Sequence, residues 1–500
     1  MSTFGLLGAV AGIAALRDPG GTALIDDRGS LTFAELDARS NALANLWRSR
    51  GLTPGRGVAV LARNHRGLVD AILAGAKCGA RIILLNTDFG QGQVEDVVVR
   101  EGADLLVHDE EYSDTVKGLD LALGCVVAWT DLPSATNLDS LIAAGDATLP
   151  PAPATRSKII ILTSGTTGTP KGAEREDPRT LAVIGGLLSR IPFRANEVTH
   201  VAVPMFHAMG FFHTLFAMML GSTLVVHRRF DARQTLHTLE ANSVTAFIAV
   251  PVMIRRLLDL GTQELSARDL SALRVVYVSG SQLSGPLCNQ ALAAFGPIVY
   301  NLYGSTEVAY ASIATPEDLL AAPSCVGRVV PGSVVRVLDE DGNDVPTGSI
   351  GRIFVGNRVQ FEGYTDGNTK PSIDGLLSSG DVGHFDTAGR LFIDGRDDEM
   401  IVSGGENVFP REVEETLAAH PDILEVAVIG VPDEEFGQRL RSFIVARPGA
   451  TLTEETVRHY VKIRLARFKV PRDIRFVDAL PRTPTGKILK RDLDSSSTPA

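Results

Sequence analysis

Short apolar runs alternate with helical patterns through the first 300 residues of this 500-residue chain, and this alternation limits the fold more than any other feature. Residues 58–62 are predicted to form a strand, residues 67–78 a helix and residues 81–85 another strand. The same order returns between residues 198 and 302. Strands separated by helices form parallel sheets, and strands without polar alternation are covered on both faces. We therefore predict an α/β fold with parallel layers.

The pattern changes near Val334, where short apolar runs lie between Gly and Asp turns. These runs predict a small β-barrel-like unit that closes the large domain. After Arg396, strand and helix patterns continue in a smaller α+β module. A chain of 500 residues exceeds what a single hydrophobic core usually supports. We predict an N-terminal domain over residues 1–396 and a C-terminal domain over residues 397–500.

The charge of the chain argues against a general nucleic-acid binder, because the formal net charge is −11. Basic residues nevertheless concentrate between residues 439 and 491, which hold 14 Lys or Arg and 4 Asp or Glu. Two interpretations remain open for this segment. It is either a solvated basic face or a surface that meets a polyphosphate ligand.

The cysteines and the N-terminal stretch indicate the cellular compartment in which the protein is expected. The four cysteines include no CxxC pair and no zinc-site spacing, which predicts reduced thiols in a cytoplasmic protein. Residues 4–16 are uncharged and fairly apolar. They lack a basic leader and are too few to span a bilayer. We predict a buried or peripheral helix there, and at most peripheral membrane contact.

A loop of Gly and hydroxyl residues follows the apolar run at residues 159–162. Its sequence is Thr163-Ser164-Gly165-Thr166-Thr167-Gly168-Thr169-Pro170-Lys171-Gly172. Such a loop offers backbone N–H groups, hydroxyls and one ammonium to phosphate oxygens. It is not a Walker A loop, because that motif ends in Gly-Lys-Ser/Thr whereas Lys171 lies between Pro170 and Gly172.

This loop resembles the phosphate-loop signature of the adenylate-forming superfamily, which includes acyl-CoA synthetases, peptide-synthetase adenylation domains and beetle luciferases. Further motifs resemble that family in its own order. They are Tyr303-Gly304-Ser305-Thr306-Glu307, Ser379-Gly380-Asp381, Gly395-Arg396-Asp397-Asp398, Ser403-Gly404-Gly405-Glu406-Asn407 and Pro484-Thr485-Gly486-Lys487. The resemblance spans nearly the whole chain and is closest to a bacterial fatty-acyl-CoA ligase.

The resemblance implies a set of residues around ATP. The phosphates would be held by loop residues Thr163, Ser164, Gly165, Thr166, Thr167, Gly168 and Lys171. Thr306 would contact a phosphate and Glu307 would contact Mg²⁺. Asp381 would accept hydrogen bonds from the ribose hydroxyls, with Arg396 assisting. The adenine side would be formed by Gly280, Tyr303 and Gly304, with Tyr303 stacking on the ring.

The resemblance also implies residues that act on the acyl group or on the reaction cycle. Lys487 would bridge the α-phosphate and the carboxylate, and His207 would gate or orient the carboxylate. A packed core histidine is the alternative for His207. Asp398 would be the pivot about which a mobile C-terminal domain rotates, with an ordinary loop residue as the alternative. Gly404 would line a tunnel for the pantetheine arm of CoA.

The function implied is ATP-dependent ligation of a carboxylic acid to CoA, through an acyl-adenylate, with release of pyrophosphate and then AMP. An uncharged Met- and Phe-rich stretch ending at Leu220 is either plain core or a surface that suits the chain of a medium- or long-chain fatty acid. One alternative is an acyl-AMP ligase that loads a separate carrier protein. Another is a nucleotide- or acyl-binding protein without catalysis. Departures from the family lie on the acyl-entry side, where residues 173–178 lack the His-bearing segment of many relatives.

Overall fold

The protein is described by a computed structural model that covers residues 4–132, 136–163, 171–176, 182–403, 406–433, 437–483 and 486–493. The helices in the first half of the chain are α1 (Gly5–Arg17), α2 (Phe33–Ser49), α3 (Arg66–Lys77), α4 (Gln91–Arg100), α5 (Leu138–Ala143), α6 (Ala182–Leu188), α7 (Ala208–Met219) and α8 (Ala232–Ala241). Those in the second half are α9 (Pro251–Leu258), α10 (Thr262–Ser266), α11 (Gly285–Phe295), α12 (Pro316–Ala321), α13 (Pro410–Ala418), α14 (Glu454–Lys462) and α15 (Lys490–Leu493).

Strands run through the whole chain. The first twelve are β1 (Thr22–Asp26), β2 (Gly29–Thr32), β3 (Gly57–Leu61), β4 (Arg81–Leu84), β5 (Ala103–Asp109), β6 (Cys125–Trp129), β7 (Lys158–Thr163), β8 (Lys171–Glu176), β9 (Val198–Val201), β10 (Thr223–Val225), β11 (Ala246–Ala249) and β12 (Val275–Val278). The others are β13 (Val299–Ser305), β14 (Ala309–Ala314), β15 (Arg328–Val329), β16 (Val334–Leu338), β17 (Gly351–Gly356), β18 (Ser372–Ile373), β19 (Leu376–Phe385), β20 (Leu391–Arg396), β21 (Ile401–Ser403), β22 (Glu406–Val408), β23 (Ile423–Asp433), β24 (Gly437–Ala446) and β25 (Asp473–Phe476).

The first of two compact units comprises Met1–Ala249, Asp259–Tyr277 and Arg358–Lys370. It contains two mainly parallel sheets, with strand orders β6-β5-β3-β4-β7-β8 and β12-β11-β9-β10-β1-β2. Strands β3 and β11 are buried along their whole length. Runs such as the Val and Ala residues of β3 have no polar face to offer to water, so helices cover both sides of the sheet. The prediction of parallel α/β layers is confirmed.

The second unit comprises Val250–Leu258, Val278–Asn357 and Pro371–Ala500. It holds the strands β15-β14-β13, an antiparallel sheet ordered β16-β17-β19-β18 with β20 beside β19, and a sheet ordered β22-β21-β24-β23 with β25 beside β24. Helices α13 and α14 bury Val413, Leu417, Val457 and Val461 in the core that covers this last sheet. The small C-terminal α+β module therefore has its own hydrophobic core.

Most predicted elements are present with ends moved by up to five residues, but many elements were not predicted, among them the long helix α2 and strands β6, β14 and β19. The hairpin of β1 and β2 was not predicted, and neither was strand β8. Helix α1 covers the apolar N-terminal stretch, with Leu7 and Val10 buried. In the described ranges, no helix combines the length and the apolar character that a membrane span requires. The domain boundary after Arg396 stays a prediction.

Candidate active site

The predicted phosphate loop joins two neighbouring strands of the first unit. Strand β7 ends at Thr163 and β8 begins at Lys171, and these two residues are direct partners across an antiparallel ladder. Register of this kind brings the two ends of the connecting segment together. The backbone of both predicted phosphate contacts is therefore fixed by the sheet, although the loop itself lies outside the described residues.

The Lys171 side chain contacts a segment that is almost 200 residues further along the chain. Its Nζ lies 3.5 Å from Asp366 Oδ2 and 5.2 Å from the centre of the Tyr364 ring. The Thr365 amide donates a hydrogen bond of 2.8 Å to the Gly172 carbonyl, which ties that segment to β8. A carboxylate and an aromatic face thus hold the one ammonium of the predicted loop.

Several predicted residues cannot be placed, because they lie outside the described residues. They are Ser164, Gly165, Thr166, Thr167, Gly168 and Gly404. The side chains of Thr163 and Asp398 also lie outside the description, although their backbones are placed in β7 and in a 3₁₀ turn. The predicted roles of these residues stay predictions.

His207 immediately precedes helix α7 and stacks obliquely against Phe206, with 4.4 Å between ring centres. Its Nε2 is buried and has no hydrogen-bond partner among the described residues. Burial lowers the pKa of His207 to about 4. The ring is therefore neutral near pH 7, so it can orient a carboxylate through a hydrogen bond but not through a formal charge.

The remainder of α7 belongs to an aromatic cluster in the same unit. His213 lies 4.3 Å from Tyr277 between ring centres, and Phe193 lies 5.1 Å from Phe216. His213 donates through Nδ1 to the Met209 carbonyl at 2.8 Å, and burial lowers its pKa to about 4. The Met- and Phe-rich stretch is thus packed in part into this cluster, with Phe216 and Met218 buried and Phe211 and Phe212 half-buried.

In the second unit, Tyr303 and Arg396 both bind the carboxylate of Asp381. All three residues were predicted to hold the nucleoside. The Tyr303 hydroxyl donates to Asp381 Oδ2 at 2.6 Å, and Arg396 Nη1 donates to Oδ1 at 3.0 Å. Burial of the hydroxyl, followed by the negative charge of Asp381, raises the pKa of Tyr303 well above its ordinary value. Each carboxylate oxygen retains a second lone pair for another donor. The cluster is therefore held ready to accept a ligand hydroxyl.

Gly380 makes this arrangement possible. Its φ is +80°, a conformation that side-chain-bearing residues rarely adopt. A Cβ at this position would lie 3.2 Å from Arg396 Nη2. The glycine therefore allows the backbone to turn while the guanidinium approaches Asp381.

Glu307, the predicted magnesium contact, is oriented by its neighbour Ser305. The Ser305 hydroxyl donates to Glu307 Oε2 at 2.8 Å and accepts from the amides of Glu307 and Val308 at 3.2 and 3.3 Å. These bonds close the turn that follows β13, which contains Gly304, and they place Thr306 within the turn. In the part of the chain that is described, no group of three or more metal-binding side chains is present.

Gly280, predicted near adenine, follows strand β12 with a φ of +86°. Its neighbour Ser279 donates through Oγ to the Leu302 carbonyl at 2.9 Å. This bond ties the Gly280 turn to strand β13, which also carries Tyr303. Both elements of the predicted adenine side are therefore connected within the second unit.

Lys487 is exposed at the closing end of a turn, where it is bonded to Thr483. The Thr483 amide donates to the Lys487 carbonyl at 2.8 Å, and the Lys487 amide donates back to Thr483 Oγ1 at 3.1 Å. Arg482 donates to the Gly486 carbonyl at 2.5 Å and pairs with Glu425 at 2.9 Å. The turn is thus anchored to strand β23, and Lys487 is exposed to solvent.

Position 486 requires glycine for two reasons, its φ of +76° and the close packing around it. A Cβ built there would lie 2.1 Å from Val252 Cγ1 on helix α9. The motif glycine therefore lets the lysine turn pack closely against another element of the second unit.

Some residues of the site were missed by the sequence analysis. Ser305 lies inside the Tyr303–Glu307 motif, and its position two residues before Glu307 was a usable signal for a hydroxyl-closed turn. Arg482 lies two residues before the Pro484–Lys487 motif. Asp366 and Tyr364 had no such signal, because their partner Lys171 is far away in sequence.

Two family models match this chain. The model described as AMP-binding enzyme matches residues 13–365, and the model described as AMP-binding enzyme C-terminal domain matches residues 412–487. The chain belongs to the AMP-binding enzyme family. Together the two matches include every predicted site residue except Asp381, Arg396, Asp398 and Gly404, which lie between them.

Characterised relatives of this AMP-binding enzyme are similar along nearly their whole length. The fatty acid–[acyl-carrier-protein] ligase ScoC of Streptomyces coeruleorubidus is 30% identical, over 96% of this chain and 94% of the relative. A feruloyl-CoA synthase from an Amycolatopsis species is 32% identical, over 95% and 96%. The indoleacetate–CoA ligase of Aromatoleum aromaticum is 30% identical, over 95% of each.

Solved structures of the same fold are also similar. ATP-bound MatB from Rhodopseudomonas palustris has a TM-score of 0.88 and 27% identity, with 99% of each chain covered. The o-succinylbenzoate CoA synthetase MenE from Bacillus subtilis, in complex with its acyl-adenylate intermediate, has a TM-score of 0.85 and 25% identity, with 97% of each chain covered.

These similarities confirm the resemblance, the fold class and the enzyme class. The chain is an adenylate-forming acid–thiol ligase of the AMP-binding enzyme family. The named relatives act on different acids, so family membership does not select the acid that this AMP-binding enzyme uses.

We expect Asp381→Ala to weaken ATP binding at least about tenfold, because a hydrogen bond to a charged group contributes about 1.5–3 kcal/mol. Calorimetric titration with ATP measures this affinity, and a melting curve monitors the fold. The control is Asp344→Ala, which removes an exposed carboxylate paired with Arg336 in the same unit. ATP affinity equal to that of the parent would contradict the ribose role of Asp381.

We expect acid to destabilise this protein through three buried rings. Burial lowers the pKa of His200, His207 and His213 to about 4, from 6.5 when unfolded. Below pH 6.5 the unfolded chain binds protons that the folded chain does not bind until about pH 4. Stability therefore falls as the pH drops through this window, by up to about 1.4 kcal/mol per pH unit for each ring.

Urea unfolding between pH 7 and 4.5 measures this slope. His213→Asn should reduce the slope of the unfolding free energy against pH by the contribution of about one proton, because the variant removes one buried ring. His459→Asn, at an exposed position, serves as the control and should leave the slope unchanged. Equal slopes for the parent and His213→Asn would show that His213 is not neutral in the folded protein.

Proposed function

We propose that this enzyme activates a medium- or long-chain fatty acid with ATP and transfers the acyl group to CoA. The observation that carries the proposal is the joint geometry of the second unit, where Tyr303, Asp381 and Arg396 form one cluster and a closed turn presents Lys487. The half-buried aromatic residues of α7, Phe211 and Phe212, support the choice of a fatty acid. Cytoplasmic lipid metabolism is the proposed setting.

The first step joins two anions, so positive charge must neutralise the repulsion and both partners must be held in line. A carboxylate oxygen attacks the α-phosphorus of ATP, the bond to the bridging oxygen breaks, and pyrophosphate leaves. In this proposal Lys487 stabilises the charge on the α-phosphate, Asp381 holds the ribose, and neutral His207 orients the carboxylate.

Glu307 suits Mg²⁺, because its carboxylate is oriented by Ser305 and this ion needs only one or two protein carboxylates in addition to water and phosphate oxygens. Bound there, Mg²⁺ would supply further charge neutralisation. Lys171 would contact a phosphate by exchanging its contact with Asp366 for that anion.

The second step transfers the acyl group to a thiol. The CoA sulfur attacks the acyl carbon as the thiolate, its proton passes to solvent, and the bond to the AMP oxygen breaks. The excess of basic over acidic residues in the segment 439–491 supports CoA as the acceptor, because the phosphates of CoA are anionic. Similarity to ScoC, named as an acyl-carrier-protein ligase, supports a carrier protein as the second candidate acceptor.

A carboxylate screen tests this function. Fatty acids of graded length and aromatic acids are incubated with ATP and Mg²⁺, and pyrophosphate and AMP release are measured with CoA, with a phosphopantetheinylated carrier protein, or with neither. Fatty acids with CoA should give the largest kcat/KM. Preference for an aromatic acid overturns the fatty-acid assignment, preference for the carrier protein overturns the CoA assignment, and no pyrophosphate release with any acid overturns catalysis.

We expect Lys487→Ala to lower the rate of adenylate formation by about 10²–10³-fold, because one donor to the developing charge contributes that much. Thioester formation from supplied acyl-adenylate and CoA should change less than threefold. Single-turnover assays of the two half-reactions separate these rates. Equal losses in both half-reactions would contradict a role confined to the first step.

We expect Asp398→Pro to separate the two half-reactions, because proline locks φ near −65° at the proposed pivot. If the variant is held in the adenylating orientation, pyrophosphate release stays within about threefold of the parent while CoA consumption falls steeply. Asp398→Ala is the control, since it removes the carboxylate and keeps the backbone free. A folded proline variant that transfers acyl groups to CoA at the parent rate would rule out this pivot.

A further inference from the structure

Lys490 carries an ammonium that bridges two carboxylates from separate elements. Its Nζ lies 2.9 Å from Glu399 Oε2 and 3.0 Å from Glu414 Oε1. The Lys490 side chain is 22% exposed, so most of it is shielded from water. Burial lowers the pKa of Lys490, but Glu414 and Glu399 outweigh burial and raise it above its ordinary value. The cation therefore remains charged near neutral pH.

The two carboxylates belong to structurally distinct positions. Glu414 lies on α13 and accepts the Val428 amide of strand β23 at 2.7 Å, so it is fixed within the C-terminal module. Glu399 ends the 3₁₀ turn Asp397–Glu399, next to the proposed pivot Asp398. Lys490 itself begins α15, three residues after Lys487. One ammonium thus connects the lysine segment, the body of the module and the end of the hinge turn.

The other end of the hinge is also fixed, but to a different sheet. Arg396 is the last residue of β20, where it pairs in register with Asp381 of β19. The side chains of the same two residues form an ion pair of 3.0 Å. Only Asp397 and Asp398 lie between this anchor and Glu399. The next regular element, β21, begins at Ile401.

We propose that Lys490 is a positioning residue, which holds Glu399 on the C-terminal module so that rotation is confined to Asp397 and Asp398 and the Lys487 turn keeps a fixed distance from the pivot. The proposal rests on the proposed two-step function. Without the bridge, the stretch free to rotate grows from residues 397–398 to residues 397–400. Lys487 then samples more positions, and fewer of them are productive.

The direct test removes the ammonium and keeps an unbranched side chain that is shorter by one atom. Lys490→Met should lower kcat for pyrophosphate release by about 10- to 100-fold, with KM for ATP and for the carboxylate within about twofold. Thioester formation from supplied acyl-adenylate should fall less than threefold, because Lys487 is not used there. Lys490→Arg should restore most of kcat, since a guanidinium can reach both carboxylates.

Two further variants separate positioning from stability. Arg411→Met removes the cation of another ion pair on α13, at 3.1 Å from Glu415, and should leave both half-reactions within about twofold. Glu399→Gln should lower kcat for pyrophosphate release, as Lys490→Met does. The double variant Lys490→Met/Glu399→Gln should be no slower than Lys490→Met alone, because one bridge is lost in each case.

The outcomes are distinct. A parent enzyme that releases no pyrophosphate with any acid overturns the proposed function. An active parent with an unchanged Lys490→Met variant overturns the positioning role alone. Equal losses in both half-reactions together with a lowered melting temperature, without rescue by Lys490→Arg, show that Lys490 only stabilises the module and also overturn the role.

Discussion

The ion pair between Asp381 and Arg396 is the interaction on which the second unit depends, because it joins the predicted nucleoside side of the site to the start of the proposed hinge. Asp381 is predicted to hold the ribose, and Arg396 is the last residue of its strand before the chain turns into the C-terminal module. The same carboxylate also receives the Tyr303 hydroxyl. A ligand that binds Asp381 would thus bond to a group already connected to the proposed pivot.

The sequence was sufficient to predict the α/β layers and the need for glycine at particular turns, because both depend on local patterns. Apolar runs such as the one in β3 need burial on two faces, and the glycines next to Asp381 and Lys487 have backbone angles that other residues rarely adopt. Tyr303, Asp381 and Arg396 come from three separate motifs. Their proximity followed from resemblance rather than from any pattern within one segment.

The contacts that were missed are polar pairs between distant segments. Lys171 with Asp366 and Lys490 with Glu399 are examples, and each partner alone is an ordinary charged residue. Such pairs form where tertiary structure places them, so neither periodicity nor turn chemistry reveals them. The neutral state of His207 was likewise hidden, because it results from burial of the ring in the folded protein.

Residues 358–370 belong to the first unit although they follow residues 278–357 of the second unit. This order has a consequence for synthesis on the ribosome. Thr365 bonds to Gly172 and Asp366 pairs with Lys171, so strand β8 lacks these neighbours while the nascent chain is shorter. Domains generally fold as units during translation. Here the first unit is completed only after about three quarters of the chain has been made, as residue 370 of 500 is its last. Until then, the nascent strand that carries Lys171 lacks the hydrogen bond from Thr365 and the ion pair with Asp366.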